Sequence, residues 1–308
     1  MPANLRYAIY GVIGLLLAGT LIIGLKCRFR PGKGDHELWL RMRSWWVMAG
    51  LFIAAICFSR GASIALIGII SFLALKEYLS IIPTRRIDRR VPVPAYLAIP
   101  VQYWWVWERW YGMFIIFVPV YMFLLMPARM LMFGETQGFI KAAGTLHWGL
   151  MMTVFSLSHA AYLLALPDAT NPSAGSAGLL LFLMSLTQFN DIMQFVWGKL
   201  FGRIKVTPKV SPNKTLAGLL GGVATTTLLA FLLAPYLTPL VGWERAAAGL
   251  IIGIAGFVGD VTISAVKRDL GIKDSGSLIP GHGGILDRVD SLTYTAPLFF
   301  HFIYFFHY

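Results

Sequence analysis

Apolar residues run along this chain in stretches close to the ~20 that a helix needs to cross a bilayer, separated by short charged or Gly- and Pro-rich segments. Ten such stretches lie at roughly 7 to 25, 44 to 58, 61 to 82, 94 to 107, 111 to 132, 148 to 166, 176 to 197, 215 to 240, 246 to 266 and 292 to 307. The residue-by-residue alternation of a barrel strand is absent, so the pattern predicts an all-α, polytopic integral membrane helical bundle. The second and fourth stretches are short and read as interfacial or re-entrant, which sets the expected number of transmembrane helices at about eight to ten. Tyr7 to Leu25 is too long for the apolar core of a signal peptide and has no small-residue cleavage site, so it is expected to remain as an anchor.

Composition supports this reading. The 308 residues are 57% hydrophobic and 13% charged, whereas a soluble domain carries roughly 25% charged residues. No linker is long enough to divide residues 1–308, so a single membrane domain is expected. Cys27 and Cys57 are too few and too isolated to form a zinc site, and neither suggests a disulfide or a nucleophile.

The formal net charge of +12 is unevenly distributed. The stretches 26 to 43, 83 to 93, 127 to 147, 199 to 214 and 267 to 291 hold 6, 4, 2, 5 and 4 basic residues, 21 of the 26. If the spans are right, these stretches fall on one side of the membrane, and basic loops mark the cytoplasmic side. Both termini are then outside. Such charge suits anionic headgroups and phosphorylated ligands, and not nucleic acid, which would want a soluble basic domain.

Five of the 14 acidic residues lie between Asp260 and Asp290, interleaved with Lys267, Arg268, Lys273, His282 and Arg288. Carboxylates among cations are what metal-assisted chemistry on phosphates needs, because Mg²⁺ takes a few carboxylate oxygens and shares its other positions with phosphate and water. A solvated loop would also explain such a run. Asp260, Ser264 and Lys267 recur at i, i+4 and i+7, on one face near the end of the 246 to 266 helix. An ionisable residue at that depth costs about 2.5 to 3.5 kcal/mol and suggests a function; the alternative is a structural Asp260–Lys267 pair. Ser211, Asn213, Lys214 and Thr215 precede another long apolar span, where a capped helix start can bind an anion. Gln188, Asp191 and Gln194 form a polar face on the 176 to 197 helix together with Asn190, suited to nucleotide recognition or to interhelical hydrogen bonds.

Ser264, Lys267-Arg268, Lys273-Asp274, His282-Gly283-Gly284, Asp287-Arg288 and Asp290 together resemble the signature of the CDP-diacylglycerol synthases, the phosphatidate cytidylyltransferases. Ser211-Pro212-Asn213-Lys214-Thr215 is similar to that family's Ser-Pro-x-Lys-Thr element, and Asn190-Asp191 to its upstream Asn-Asp. The resemblance covers residues 185–308 or so, and the helices of residues 1–147 are divergent. One departure stands in the nucleotide region, where Gln194-Phe195 replaces the family's usual Ala-Tyr.

The resemblance implies transfer of CMP from CTP to phosphatidate, giving CDP-diacylglycerol and pyrophosphate. Asp260 and Asp287, with Asp290 beside them, match the positions that hold the divalent metal, and Lys267 and His282 belong to the catalytic group. Ser211, Asn213, Lys214, Thr215, Ser264, Arg268, Lys273, Arg288, Asn190 and Asp191 are expected around the substrate phosphates. Mg²⁺ is the expected cofactor, with a second metal such as K⁺ left open. The expected partners are CTP, phosphatidate or a similar lipid phosphate and membrane lipids, with a homodimer left open. The expected location is a bacterial inner membrane with the motif loops cytoplasmic. A related enzyme acting on another lipid phosphate or a polyprenol is the near alternative. A transporter is the alternative of another class, though the charged residues gather in one C-terminal cluster and not in paired halves.

Overall fold

The computed structural model describes residues 1–29, 32, 34–82, 92–132, 136–281 and 283–308. Each of the ten apolar stretches lies largely or wholly within a helix. In chain order these are α1 (Ala3–Phe29), α2 (Asp35–Phe58), α3 (Arg60–Ile81), α4 (Pro92–Trp107), α5 (Tyr111–Leu131), α6 (139–163), α7 (Gly175–Phe201), α8 (Leu216–Leu237) and α9 (Glu244–Asp269). A four-residue helix, α10 (Leu286–Val289), follows, and α11 (Leu292–His307) ends the chain. Among the described residues there is no strand, only isolated bridges between Lys205 and Thr215 and between Ile279 and Gly283.

Among the described residues, seven helices (α1, α2, α3, α5, α7, α8 and α9) are long and apolar enough to cross a membrane by length and composition. The expectation of a short second element is corrected. α2 runs for 24 residues, because the charged positions Glu37, Arg41 and Arg43 that interrupt its apolar run lie on the same helix as the apolar part. The sixth element also begins earlier than expected, at Phe139, and continues through a π-helical turn at Met151–Phe155.

α1 is apolar on nearly every side yet buries only Leu5 and Ile9, so its exposed Leu15, Leu17, Leu21 and Ile22 suit lipid contact. The tightest packing joins α7, α8, α9 and α11, and glycine permits it. A Cβ at Gly218 would stand 2.7 Å from the Gln194 carbonyl oxygen, and one at Gly249 only 2.6 Å from the Thr227 Cα. Small residues allow backbones to approach in this way where no hydrophobic force drives helices together in lipid.

The helix ends sort into two sets. At one end Asn171 donates to the Leu237 carbonyl at 2.9 Å, Arg60 to Val106 at 3.2 Å, and His307 Nε2 meets Glu244 at 2.9 Å. At the other, Ser44 donates to the Pro280 carbonyl at 2.8 Å and Arg268 to the Val210 carbonyl at 3.2 Å. The second set ties the stretches 199 to 214 and 267 to 291 together, and the latter to Ser44 just after the stretch 26 to 43. Arg85, Arg86, Arg89 and Arg90 lie outside the described residues. His159 is packed, fully buried, against Phe114, Phe155 and Phe300.

Candidate active site

At the basic end, α2, α7, α9 and the segment between α9 and α11 enclose a cleft of about 890 Å³. Asp191, Asp260, Asp287, Arg288 and Asp290 line it, with Lys273 and Asp274 at the loop and Gln188 and Phe195 from α7.

Thr215 caps α8 by accepting from the Gly218 N–H at 3.1 Å. That fixes the preceding residue, Lys214, whose ammonium forms an ion pair with Asp260 of α9. The same nitrogen donates to Gln194 Oε1 at 3.1 Å and lies 5.7 Å from the centre of the Phe257 ring. Burial alone would lower the pKa of Lys214, but the Asp260 and Asp191 carboxylates outweigh it and hold the ammonium above the ordinary lysine value. Ser264, one turn after Asp260, donates to its Oδ1 at 3.3 Å.

Lys267, a further turn along, does not pair with Asp260. It reaches Oδ1 of Asp287 at 2.7 Å, so the alternative of an Asp260–Lys267 pair is corrected to two pairs joining three segments, the loop before α8, α9 and α10. The Asp287 Oδ2 accepts from the Ser275 N–H at 2.9 Å, the Ser275 hydroxyl at 3.0 Å and the Gly284 N–H at 3.1 Å. Burial raises this carboxyl's pKa, but the Lys267 bond and charge and the Gly284 and Ser275 bonds prevail and hold it below the usual carboxylate range.

Asp290 accepts from the Ser291 N–H at 2.7 Å, and the Ser291 hydroxyl donates to Asp191 at 3.0 Å. Burial and the neighbouring Asp260 and Asp191 charges push the Asp290 carboxyl well above its ordinary value. Asp191, Asp260 and Asp290 therefore line the cleft beside Arg288, and Lys214 is paired with Asp260.

The other expected residues divide. Lys273 lines the cleft. Arg268 spends its guanidinium on the carbonyls of Val210 and Ile272, at 3.2 and 3.3 Å, which clamps the two motif loops together. Asn190 is buried between helices, donating to the Gly253 carbonyl at 3.2 Å and accepting from Thr226 at 3.3 Å. Ser211 and Asn213 lie on the loop before α8 without lining the cleft. His282 lies outside the described residues.

Several participants come from the N-terminal half, where the sequence shows no motif. Glu37, Arg41 and Trp45 of α2 form the facing wall. Glu77, in the last turn of α3, accepts from the Ile285 N–H at 2.9 Å, the Leu286 N–H at 2.8 Å and the Ser275 hydroxyl at 3.2 Å. The signal for Glu77 was present in the sequence as a lone carboxylate in an apolar span.

The carboxylates test the fit for a hard divalent cation. Asp260, Asp290 and Asp191 supply the oxygen donors that Mg²⁺ prefers. Among the described residues, no three His, Cys, Asp or Glu side chains converge as a ready-made metal cage. Asp287 has both oxygens engaged, and a metal there would have to displace Lys267 from Oδ1. Asp260 is likewise engaged, by Lys214 and Ser264, so a metal at either aspartate would displace a lysine, and the Asp260 corner is favoured by the neighbouring Asp290 and Asp191 carboxylates.

Cations and carboxylates from the motif segments of residues 185–308 thus gather at one end of a bundle of apolar helices. The chain belongs to the cytidylyltransferase family, whose model matches residues 39–306. It is 45% identical to the uncharacterized protein YnbB of Escherichia coli K12 over 95% of this chain and 96% of that one. It is 50% identical to a phosphatidate cytidylyltransferase of Synechocystis over 37% of this chain and 39% of that protein. For the phosphatidate cytidylyltransferase of Haemophilus influenzae the identity is 43%, over 41% and 46%. The chain thus aligns with less than half the length of these two named enzymes.

Proposed function

We propose that this protein transfers CMP from CTP to phosphatidate, forming CDP-diacylglycerol and releasing pyrophosphate, in phospholipid synthesis at the cytoplasmic face of a bacterial inner membrane. The observation that carries the reading is the ion pair by which Lys214, from one motif segment, holds Asp260, which lines one cleft together with Asp287, Arg288 and Asp290 from another. A phosphatidate oxygen attacks the α-phosphorus of CTP, a new P–O bond forms, and the bond to the bridging α–β oxygen breaks as pyrophosphate leaves. A phosphate monoester is already ionised near neutral pH, so charge neutralisation and in-line positioning are the main demands.

The chain's residues meet those demands as follows. Lys273 and Arg288 face the cleft and offer cations to the triphosphate oxygens. Lys214, held above the usual lysine range, stays charged against a phosphate. Asp260 and Asp290, with Asp191 beside them, are the carboxylates that would hold Mg²⁺, which would screen the triphosphate charge that builds up as the bond breaks. Lys267 and Asp287 order the loop that carries Arg288 and Asp290. A volume of about 890 Å³ is in the range of small-molecule sites, about 300–1,000 Å³.

The test is an assay of detergent-purified protein with labelled CTP, Mg²⁺ and a panel of lipid phosphates that includes phosphatidate and a polyprenyl phosphate. Labelled liponucleotide from phosphatidate is expected. Product from the polyprenyl phosphate alone would move the reading to another acceptor, and no product from any lipid would overturn it.

A further inference from the structure

The motif loop between α9 and α11 is held in shape by a residue outside every recognised motif. Glu77 stands one residue before Tyr78, whose ring lies across Gly149 so closely that a Cβ there would be 2.2 Å from Cε1. The Tyr78 hydroxyl donates to the Thr145 carbonyl at 2.9 Å. The last turn of α3 is therefore fixed against α6, and the Glu77 carboxylate enters the loop from a rigid base.

There it accepts two consecutive backbone N–H groups, Ile285 and Leu286, one on each oxygen. Those residues lead directly into Asp287. Oε2 also takes the Ser275 hydroxyl, which lies 3.0 Å from Asp287 Oδ2. Ser275 thus stands between the two carboxylates and ties both strands of the loop to them.

The loop's glycines match this visitor. A Cβ on Gly284 would stand 2.3 Å from Glu77 Oε2, and one on Gly276 would stand 2.9 Å from Oε1. The space that a side chain would fill at these positions is filled by the Glu77 carboxylate.

We propose that Glu77 is a positioning residue for the transfer reaction: it holds Ser275 and the Ile285–Leu286 backbone and so places Asp287, Arg288 and Asp290 without touching substrate. The kinetic part of this inference rests on the function proposed above, and the structural part does not. Charged acceptors make the stronger hydrogen bonds. Gln has the same length but only one acceptor oxygen and turns an NH₂ toward donors. Asp is one methylene too short to reach from α3.

The experiment compares wild type with Glu77→Gln and Glu77→Asp in three readouts: amide hydrogen exchange, thermal unfolding, and steady-state kinetics with CTP and phosphatidate. Faster exchange confined to 275–288 is expected in both variants, with α9 protection unchanged. In kinetics, kcat should fall about 10²-fold, the scale of a ~1 Å misplacement, well below the unfolding temperature, and less for Gln than for Asp. Wild-type exchange across 275–288, or kcat/KM within about threefold of wild type while that loop is loosened, would overturn the inference. Activity that merely follows the loss of folded protein would assign Glu77 to stability alone and overturn it too. If wild type forms no liponucleotide, the proposed reaction fails, and the exchange data still decide whether Glu77 holds the loop.

Discussion

The Lys267 ammonium lies 2.7 Å from Oδ1 of Asp287, with both side chains largely withdrawn from solvent, and links the last turns of α9 to the short helix α10. Through this contact the end of a membrane helix and a glycine-rich loop become one unit. Lys214 and Asp260 do the same for the start of α8 and the middle of the α9 face. Two aspartates of the cleft, Asp260 and Asp287, are thus each held by a lysine from a different segment.

Breaking one side of such a pair should cost more than removing it entirely. Lys267→Met leaves a buried carboxylate without its cation, a loss of about 3–5 kcal/mol when a buried pair is broken. Asp287→Asn strands the ammonium in the same way. The double variant should recover part of the loss, and chemical unfolding in detergent, read as a double-mutant cycle, should give a coupling of about 1–3 kcal/mol. Additive losses would show that the two side chains do not act as a pair.

The two aspartates of the loop should respond to pH with opposite signs. Asp287 has its pKa depressed on folding, so the stability it contributes is present above the ordinary carboxylate value of about 4 and is lost only as pH falls further, through the folded-state pKa. Asp290 has its pKa raised by burial and by Asp260 and Asp191. The folded state holds that proton more tightly, so its ionisation weakens the fold as pH rises above about 4. At neutral pH, in chelator-treated protein, Asp290→Asn should therefore raise Tm, by roughly 2–4 °C for each kcal/mol of repulsion removed, while turnover is lost. A lower Tm for Asp290→Asn would contradict the sign of this effect.

The sequence carried the helices well, because a span of apolar residues in lipid admits almost no other backbone solution. It misjudged α2, where charged residues at one end of a helix resemble a loop when hydropathy alone is read. The carboxylates and lysines of the C-terminal segments were legible as one cluster, since their spacing puts Asp260, Ser264 and Lys267 on a common face. Their partners were not. Helical spacing brings Asp260 and Lys267 near each other, yet tertiary packing gives each a stronger partner from another segment. The largest omission is Glu77, 198 residues from Ser275 along the chain; no local pattern connects an acidic residue in one span to a distant loop. Asn190 illustrates the converse, because a motif residue expected at the nucleotide is occupied between helices.

Close packing of α9 on the start of α11 gives a prediction about glycine. A Cβ on Gly259 would stand 2.6 Å from the Asp290 carbonyl oxygen and 3.1 Å from the Ser291 Cα, backbone atoms that cannot rotate away. Gly259→Ala should cost about 1–3 kcal/mol as overpacking and, by moving Asp290 and Ser291 away from Asp260, reduce turnover more than stability. Gly11→Ala in α1, with nothing within 4 Å of the new carbon, should leave stability unchanged or raise it by up to about 1 kcal/mol through helix propensity. Equal effects of the two changes on unfolding would show that α9 and α11 are not in this contact.

The two motif segments must face the same compartment if one site uses both, and the proposed reaction requires that compartment to be the cytoplasm, where basic loops are expected. Lys205 and Ser277 are exposed at the basic end, and Pro172 is exposed on the loop before α7 at the other. Single cysteines at these positions, in a background without Cys27 and Cys57, can be labelled in intact and in opened cells with a thiol reagent that does not cross membranes. Lys205→Cys and Ser277→Cys should react only after the cells are opened, whereas Pro172→Cys should react in intact cells. Uniform reversal of the pattern would keep the single cleft but place it outside, where cellular CTP does not reach it, and the proposed reaction would fall. Reaction of Lys205→Cys and Ser277→Cys from opposite sides would separate Lys214 from Asp260 and remove the cleft itself.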